Sequence, residues 1–153
     1  MMAPARRAAR AGAIAFAAAA LVTGCDRVGS LADGPAVLEL TADTIQLPDS
    51  VSLIEVIVRR ASGGEFEPTM VTAASGDVVR FTAGDAGSHA LVFDGAALPP
   101  EQRAFLDGTG QMRSPPLIHA GAAWVVSLAG APAGTYPFTC VTHSASGVLT
   151  VER

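Results

Sequence analysis

Gly134-Thr-Tyr-Pro-Phe-Thr-Cys140-Val-Thr-His143-Ser-Ala-Ser-Gly-Val-Leu-Thr-Val151 reads as a strand, a loop and a second strand. Cys140 and His143 stand three positions apart, at the end of one alternating apolar run and just before another. A tight loop between two such strands turns both side chains toward one point. A thiolate with an imidazole is a soft and borderline donor pair, suited to copper or zinc. A trigonal copper site needs two histidines with one cysteine, so a second histidine has to come from elsewhere in the chain.

His89 supplies it. It stands in Gly87-Ser-His-Ala-Leu-Val-Phe93, at the head of a third alternating strand about fifty residues upstream. The wide spacing suits a sandwich of antiparallel strands, where residues remote in sequence meet at one end of the sheets and a ligand cage is tied to several strands. His119 is the remaining histidine. It precedes Ala120-Gly121 ahead of a strand and reads as a surface turn residue outside the ligand set.

Between these points the chain is punctuated like an all-β domain. Ser52 to Arg60 is rich in β-branched residues and fits a first core strand. The Ser62-Gly-Gly64 turn ends it. Phe66 and Pro68 lead into a strand near Thr69 to Ala73, and Ser75-Gly-Asp77 turns into Val78 to Thr82. Pro99 to Leu106 followed by Gly108 has prolines at its start, an acidic first turn and a glycine stop, which predicts one short helix in a long connection. Trp124 to Leu128 is a further strand. Seven or eight short strands among many glycines and prolines predict an all-β fold, a Greek-key β-sandwich.

The residues quoted, together with Glu65-Phe-Glu-Pro68 and Ser75-Gly-Asp-Val-Val-Arg-Phe81, resemble the cupredoxin family of blue-copper proteins, of the plastocyanin, pseudoazurin and azurin type. The resemblance covers residues 51–153 and implies a type 1 copper held by His89, Cys140 and His143. It also implies an axial methionine a few residues after the loop histidine, which this chain does not have. Counted in the H-x-A-x-G-M form the position falls on Val148, and in the shorter H-x-x-M form on Ser146. The three equatorial ligands supply most of the bonding, and losing a thioether leaves Cu(II) less stabilised, so a higher potential is expected.

The front of the chain has a different character. Arg6, Arg7 and Arg10 precede an apolar run from Ile14 to Val22, ending in Val22-Thr-Gly-Cys25. This is a secretory layout, too short for a comfortable membrane span. It looks like a bacterial lipoprotein signal over residues 1–24 with Cys25 as the lipidated first residue. Residues 25–50, with turn signals and a short strand candidate at Ala36-Val-Leu-Glu-Leu40, read as a tether or as an added edge strand. The expected location is the periplasmic side of the cell envelope, anchored to a membrane by lipid.

Three of the ten basic residues lie in 1–24 and none of the fourteen acidic ones does, so the remainder carries a net charge of −7. Every basic residue is arginine, and no basic cluster suggests nucleic acid. Export to an oxidising compartment makes a Cys25 to Cys140 disulfide the alternative use of the two cysteines.

The leading expectation is a monomeric one-electron carrier with copper as cofactor and a redox partner protein not named by the sequence. Copper delivery or storage is an alternative, and a metal-free interaction domain is another. A zinc site would need a further ligand or water. Enzymatic use of Cys140 and His143 as nucleophile and base is the least supported reading, since C-x-x-H in one loop is better placed to share a metal than to relay a proton.

Overall fold

The computed structural model describes residues 37–39 and 44–153. Residues 1–24, Cys25 and much of the segment read as a tether lie outside the described residues. Within that segment, β1 (Val37–Glu39) and β2 (Thr44–Gln46) form an antiparallel ribbon. Among the described residues neither strand pairs with a strand of the sandwich.

The sandwich is built from β3 (Leu53–Arg59), β4 (Glu65–Glu67), β5 (Met70–Ala74), β6 (Val78–Ala83), β7 (Leu91–Phe93), β8 (Ala123–Ser127), β9 (Gly134–Cys140) and β10 (Ala145–Glu152). One sheet has the order β5-β10-β9-β7 and the other β4-β3-β6-β8. The fold is the all-β Greek-key sandwich that the strand pattern predicts. Not all of its pairs are antiparallel, because β3 pairs with β6 and β5 with β10 in parallel. In both parallel pairs the partners are not consecutive strands and reach each other only after the chain has visited the opposite sheet.

β4 is a strand that pattern reading missed. Glu65-Phe66-Glu67 alternates exposed, buried, exposed, but three residues between Gly64 and Pro68 look like a lead-in rather than an element. Pro68 has no N–H for a ladder, so the chain breaks there and crosses from one sheet to the other before β5 begins.

The inward faces follow the period of two expected of strands with one side on a core. Tyr136, Phe138 and Cys140 of β9 and Ala145, Leu149 and Val151 of β10 are buried, facing Val56, Val58, Val79, Phe81 and Val126 of the other sheet. Phe138 lies at the centre of the aromatic packing, with ring centroids 4.8 Å from Phe66 and 5.1 Å from Phe81, both edge-to-face.

The connection from β7 to β8 carries the one α-helix among the described residues, α1 (Pro100–Gly108), with Pro100 in its first turn and Leu106 buried against the core. It runs two residues past the predicted end. The glycine that stops it is Gly110, at φ +69°, with Gln111 N–H donating to the Leu106 carbonyl at 2.8 Å and Gly110 N–H to Asp107 at 3.2 Å. That pair of bonds is the Schellman arrangement. The chain then returns along β7, where His89 and Leu117 exchange backbone hydrogen bonds of 2.8 and 2.9 Å.

Gly147, on the inner side of β10, has no room for a side chain. A Cβ there would lie 2.5 Å from the Phe138 ring and 2.8 Å from the Thr69 carbonyl. Gly147→Ala should therefore lower stability by about 1–3 kcal/mol, read as a fall in the urea midpoint with an unchanged slope.

Candidate metal centre

Cys140 ends β9 with β7 on one side and β10 on the other. Its register partners are Leu91 of β7 and Ala145 of β10. The next residue, Val141, donates its N–H to the Ala90 carbonyl at 2.9 Å, which draws the ligand loop over the start of β7. His89 lies one residue before Ala90, so the pairing brings it beside Cys140. The loop Val141–Ser144 is held by the His143 N–H bond to the Cys140 carbonyl at 3.3 Å and by Ser144 in the left-handed region at φ +58°. This turn places His143 over Cys140.

The three side chains come together with their ligand atoms all within 4.8 Å of one another. Cys140 Sγ is 3.8 Å from His89 Nδ1 and 3.7 Å from His143 Nδ1. Metal bonds of about 2.3 Å to sulfur and about 2.05 Å to nitrogen at a trigonal angle put those atoms about 3.8 Å apart, so the donors already stand at the spacing of a shared metal. Cys140 is a free thiol at 0% exposure and His89 is also at 0%, while His143 is half-buried. A soft thiolate and two imidazoles in an apolar setting fit copper.

A carboxylate stands behind His89. Asp85 Oδ1 is 2.9 Å from His89 Nε2 and accepts the Gly87 N–H at 2.7 Å, while Oδ2 accepts the Arg60 N–H at 2.6 Å. The Arg60 amide, then the His89 ring and the Gly87 amide, hold this carboxyl well below the usual carboxylate range. An ionised carboxylate only accepts, so Nε2 is the ring nitrogen that donates to Asp85, and Nδ1 is the one that faces Cys140.

His143 has a backbone support. Gly64, at φ +115°, packs so closely that a Cβ would lie 2.6 Å from His143 Cβ, 2.9 Å from its carbonyl and 3.2 Å from Ala145 Cβ. The sequence pattern shows Gly64 only as part of a turn and does not single out Asp85. The signal for Asp85 was its place four residues before His89, in a loop with glycines at 84 and 87.

The axial assignment is corrected by the strand register. On β10 the buried positions are Ala145, Gly147, Leu149 and Val151, so Ser146 and Val148 belong to the opposite face. Val148 pairs with Pro137, three register steps, roughly 10 Å, from Cys140. Ala145, directly across from Cys140, is the inward residue next to the site. Among the methionines, Met70 is exposed on β5, and Met112 lies against Gly95 beyond the far end of β7. His119 is exposed, with Nδ1 3.0 Å from the Ala120 carbonyl, and is not one of the three clustered residues.

Residues 55–152 match the family model of copper binding proteins, plastocyanin/azurin family. The chain belongs to that family, and copper is its metal, with His89, Cys140 and His143 as the donor set available to hold it. The chain is similar to solved structures, the first of which shares the fold. One is a mutant plastocyanin of fern, at TM-score 0.52 and 24% identity, covering 64% of this chain and 99% of that one. Another is a purple cupredoxin from Nitrosopumilus maritimus, at TM-score 0.48 and 18% identity, covering 65% and 99%. No curated protein matches the chain.

Because Gly64 leaves no space beside His143, Gly64→Ala should displace this ligand while leaving most of the core intact. Copper affinity should fall about tenfold or more, in the range of lost ligand supports, as measured by competition against a copper chelator.

Proposed function

We propose that this protein is an exported, membrane-tethered one-electron carrier using a mononuclear type 1 copper without the usual axial methionine. The observation that carries the reading is the His89, Cys140 and His143 set, with sulfur to nitrogen distances of 3.7 and 3.8 Å around a fully buried thiol. Copper bound there supplies one-electron chemistry between Cu(II) and Cu(I). The chain's own residues supply the rest. β7, β9 and the loop fix the donors in one arrangement, so little has to reorganise when the charge on the site changes. Burial of Cys140 and His89 excludes water and keeps the thiolate from side oxidation.

His143 is the half-buried ligand and gives the route to the surface. Beside it Val141 is 62% exposed, and Ile118, which follows the Leu117 partner of His89, is 67% exposed. An apolar rim of this kind suits brief docking of a redox partner. Tethering through lipid on Cys25, after removal of residues 1–24, would hold the domain on the periplasmic side of a membrane.

The copper-loaded chain should be intensely coloured, because a short bond from thiolate to Cu(II) in a trigonal site gives strong charge transfer. Cys140→Ser should remove the band, and the wild-type band should bleach and return through repeated one-electron cycles. Tight copper binding with rapid metal exchange and no reversible cycling would favour delivery or storage instead. A chain that folds and takes up no copper would overturn both readings.

A further inference from the structure

We propose that Asp85 is a positioning residue of the copper site: its carboxylate keeps the His89 proton on Nε2, aims Nδ1 at the metal and strengthens the imidazole as a donor. The inference rests on the reading of His89 as a copper ligand. Its geometric basis is the set of three bonds made by one carboxyl group. Two are backbone bonds, from Gly87 to Oδ1 at 2.7 Å and from Arg60 to Oδ2 at 2.6 Å, and these fix the carboxyl plane. The third is the 2.9 Å contact with the imidazole. A loop cap needs only the first two.

His89 has 0% exposure, so its Nε2–H has no water to turn to if the carboxylate is removed. The ring could then place its proton on either nitrogen, and the Nδ1–H form cannot bind a metal through Nδ1. Gly87 completes the unit. A Cβ at this position would lie 2.7 Å from Asp85 Oδ1 and 3.3 Å from His89 Nε2, so only glycine lets carboxylate and ring meet beside it. Asp85, Gly87 and His89 therefore act together as one ligand-orienting loop.

The charge has a direction as well as a place. A carboxylate sharing the Nε2 proton leaves more electron density on the imidazole, which favours Cu(II) over Cu(I). Asp85 thus pulls the potential down, against the upward push from a missing thioether. Arg60 contributes its amide to this arrangement, which links the end of β3 to a ligand at the head of β7.

The test compares the full chain with Asp85→Asn, Asp85→Ala and Gly87→Ala, each metal-free and copper-loaded. Imidazole nitrogen NMR of the metal-free wild type should show His89 protonated on Nε2 and bare on Nδ1. Asp85→Asn keeps an oxygen acceptor but no charge, so the tautomer should persist while the potential rises. Asp85→Ala should mix the tautomers and weaken Cu(II) binding about 10–100-fold, with the far-ultraviolet dichroism retained. If that variant fails to fold, Gly87→Ala carries the same test by forcing ring and carboxylate apart, with loss of the fixed tautomer expected. An Nδ1 proton on wild-type His89, or a potential unmoved in Asp85→Asn, would overturn the proposal. Absence of a copper band in the unaltered chain would overturn the copper reading itself, and is distinguished because it shows in the wild type while the metal-free tautomer comparison still reports on Asp85.

Discussion

The pairing of Cys140 with Leu91 on one side and Ala145 on the other is the constraint on which the site depends. It ends β9 at a point where the thiol faces the core, opens the hairpin loop that carries His143, and sets the start of β7 so that His89 arrives beside the sulfur. The period of two along β9 makes this binding. Tyr136 and Phe138 are among the largest buried side chains, and their inward orientation forces Cys140 to share it. A slip of one residue would expose all three together, so the energy of the aromatic core is also what keeps the thiol in register.

The cage is held by both sheets although its ligands stand on one. β7, β9 and the ligand loop belong to the sheet of β5 and β10. Arg60, just after β3, and Gly64, just before β4, come from the side of the other sheet; Arg60 donates its N–H to Asp85 and Gly64 packs against His143. The donors are thus clamped from across the sandwich, as preorganisation requires: a first layer of ligands locked by a second layer of neighbours on rigid strands.

Much of this was legible in the sequence because it depends on short-range pattern. Alternation gave the strands, Cys140 and His143 declared themselves by spacing, and His89 followed from the head of an alternating run. What was not legible depends on register or on close approach. Counting from His143 put the axial position at Val148 or Ser146, and only the pairing with β9 shows that both belong to the outer face. Gly64 carries no side chain by which to announce that it supports a histidine. Asp85 was near enough in sequence to be noticed, but an acidic residue between glycines reads first as a loop. β4 was hidden by Pro68, which splits one run of chain into two elements in different sheets.

The parallel pairing of β10 with β5 ties the ligand hairpin to the edge of its sheet. Val148 meets Met70, and the strand that closes this sheet also forms half of the ligand hairpin. Contacts so distant along the chain carry a large loop-closure cost and form slowly. Until β10 docks, β5 has no partner in its own sheet, because that strand borders β10 alone. The loop that carries His143 is therefore braced, through β10, by an edge strand that comes from far earlier in the chain.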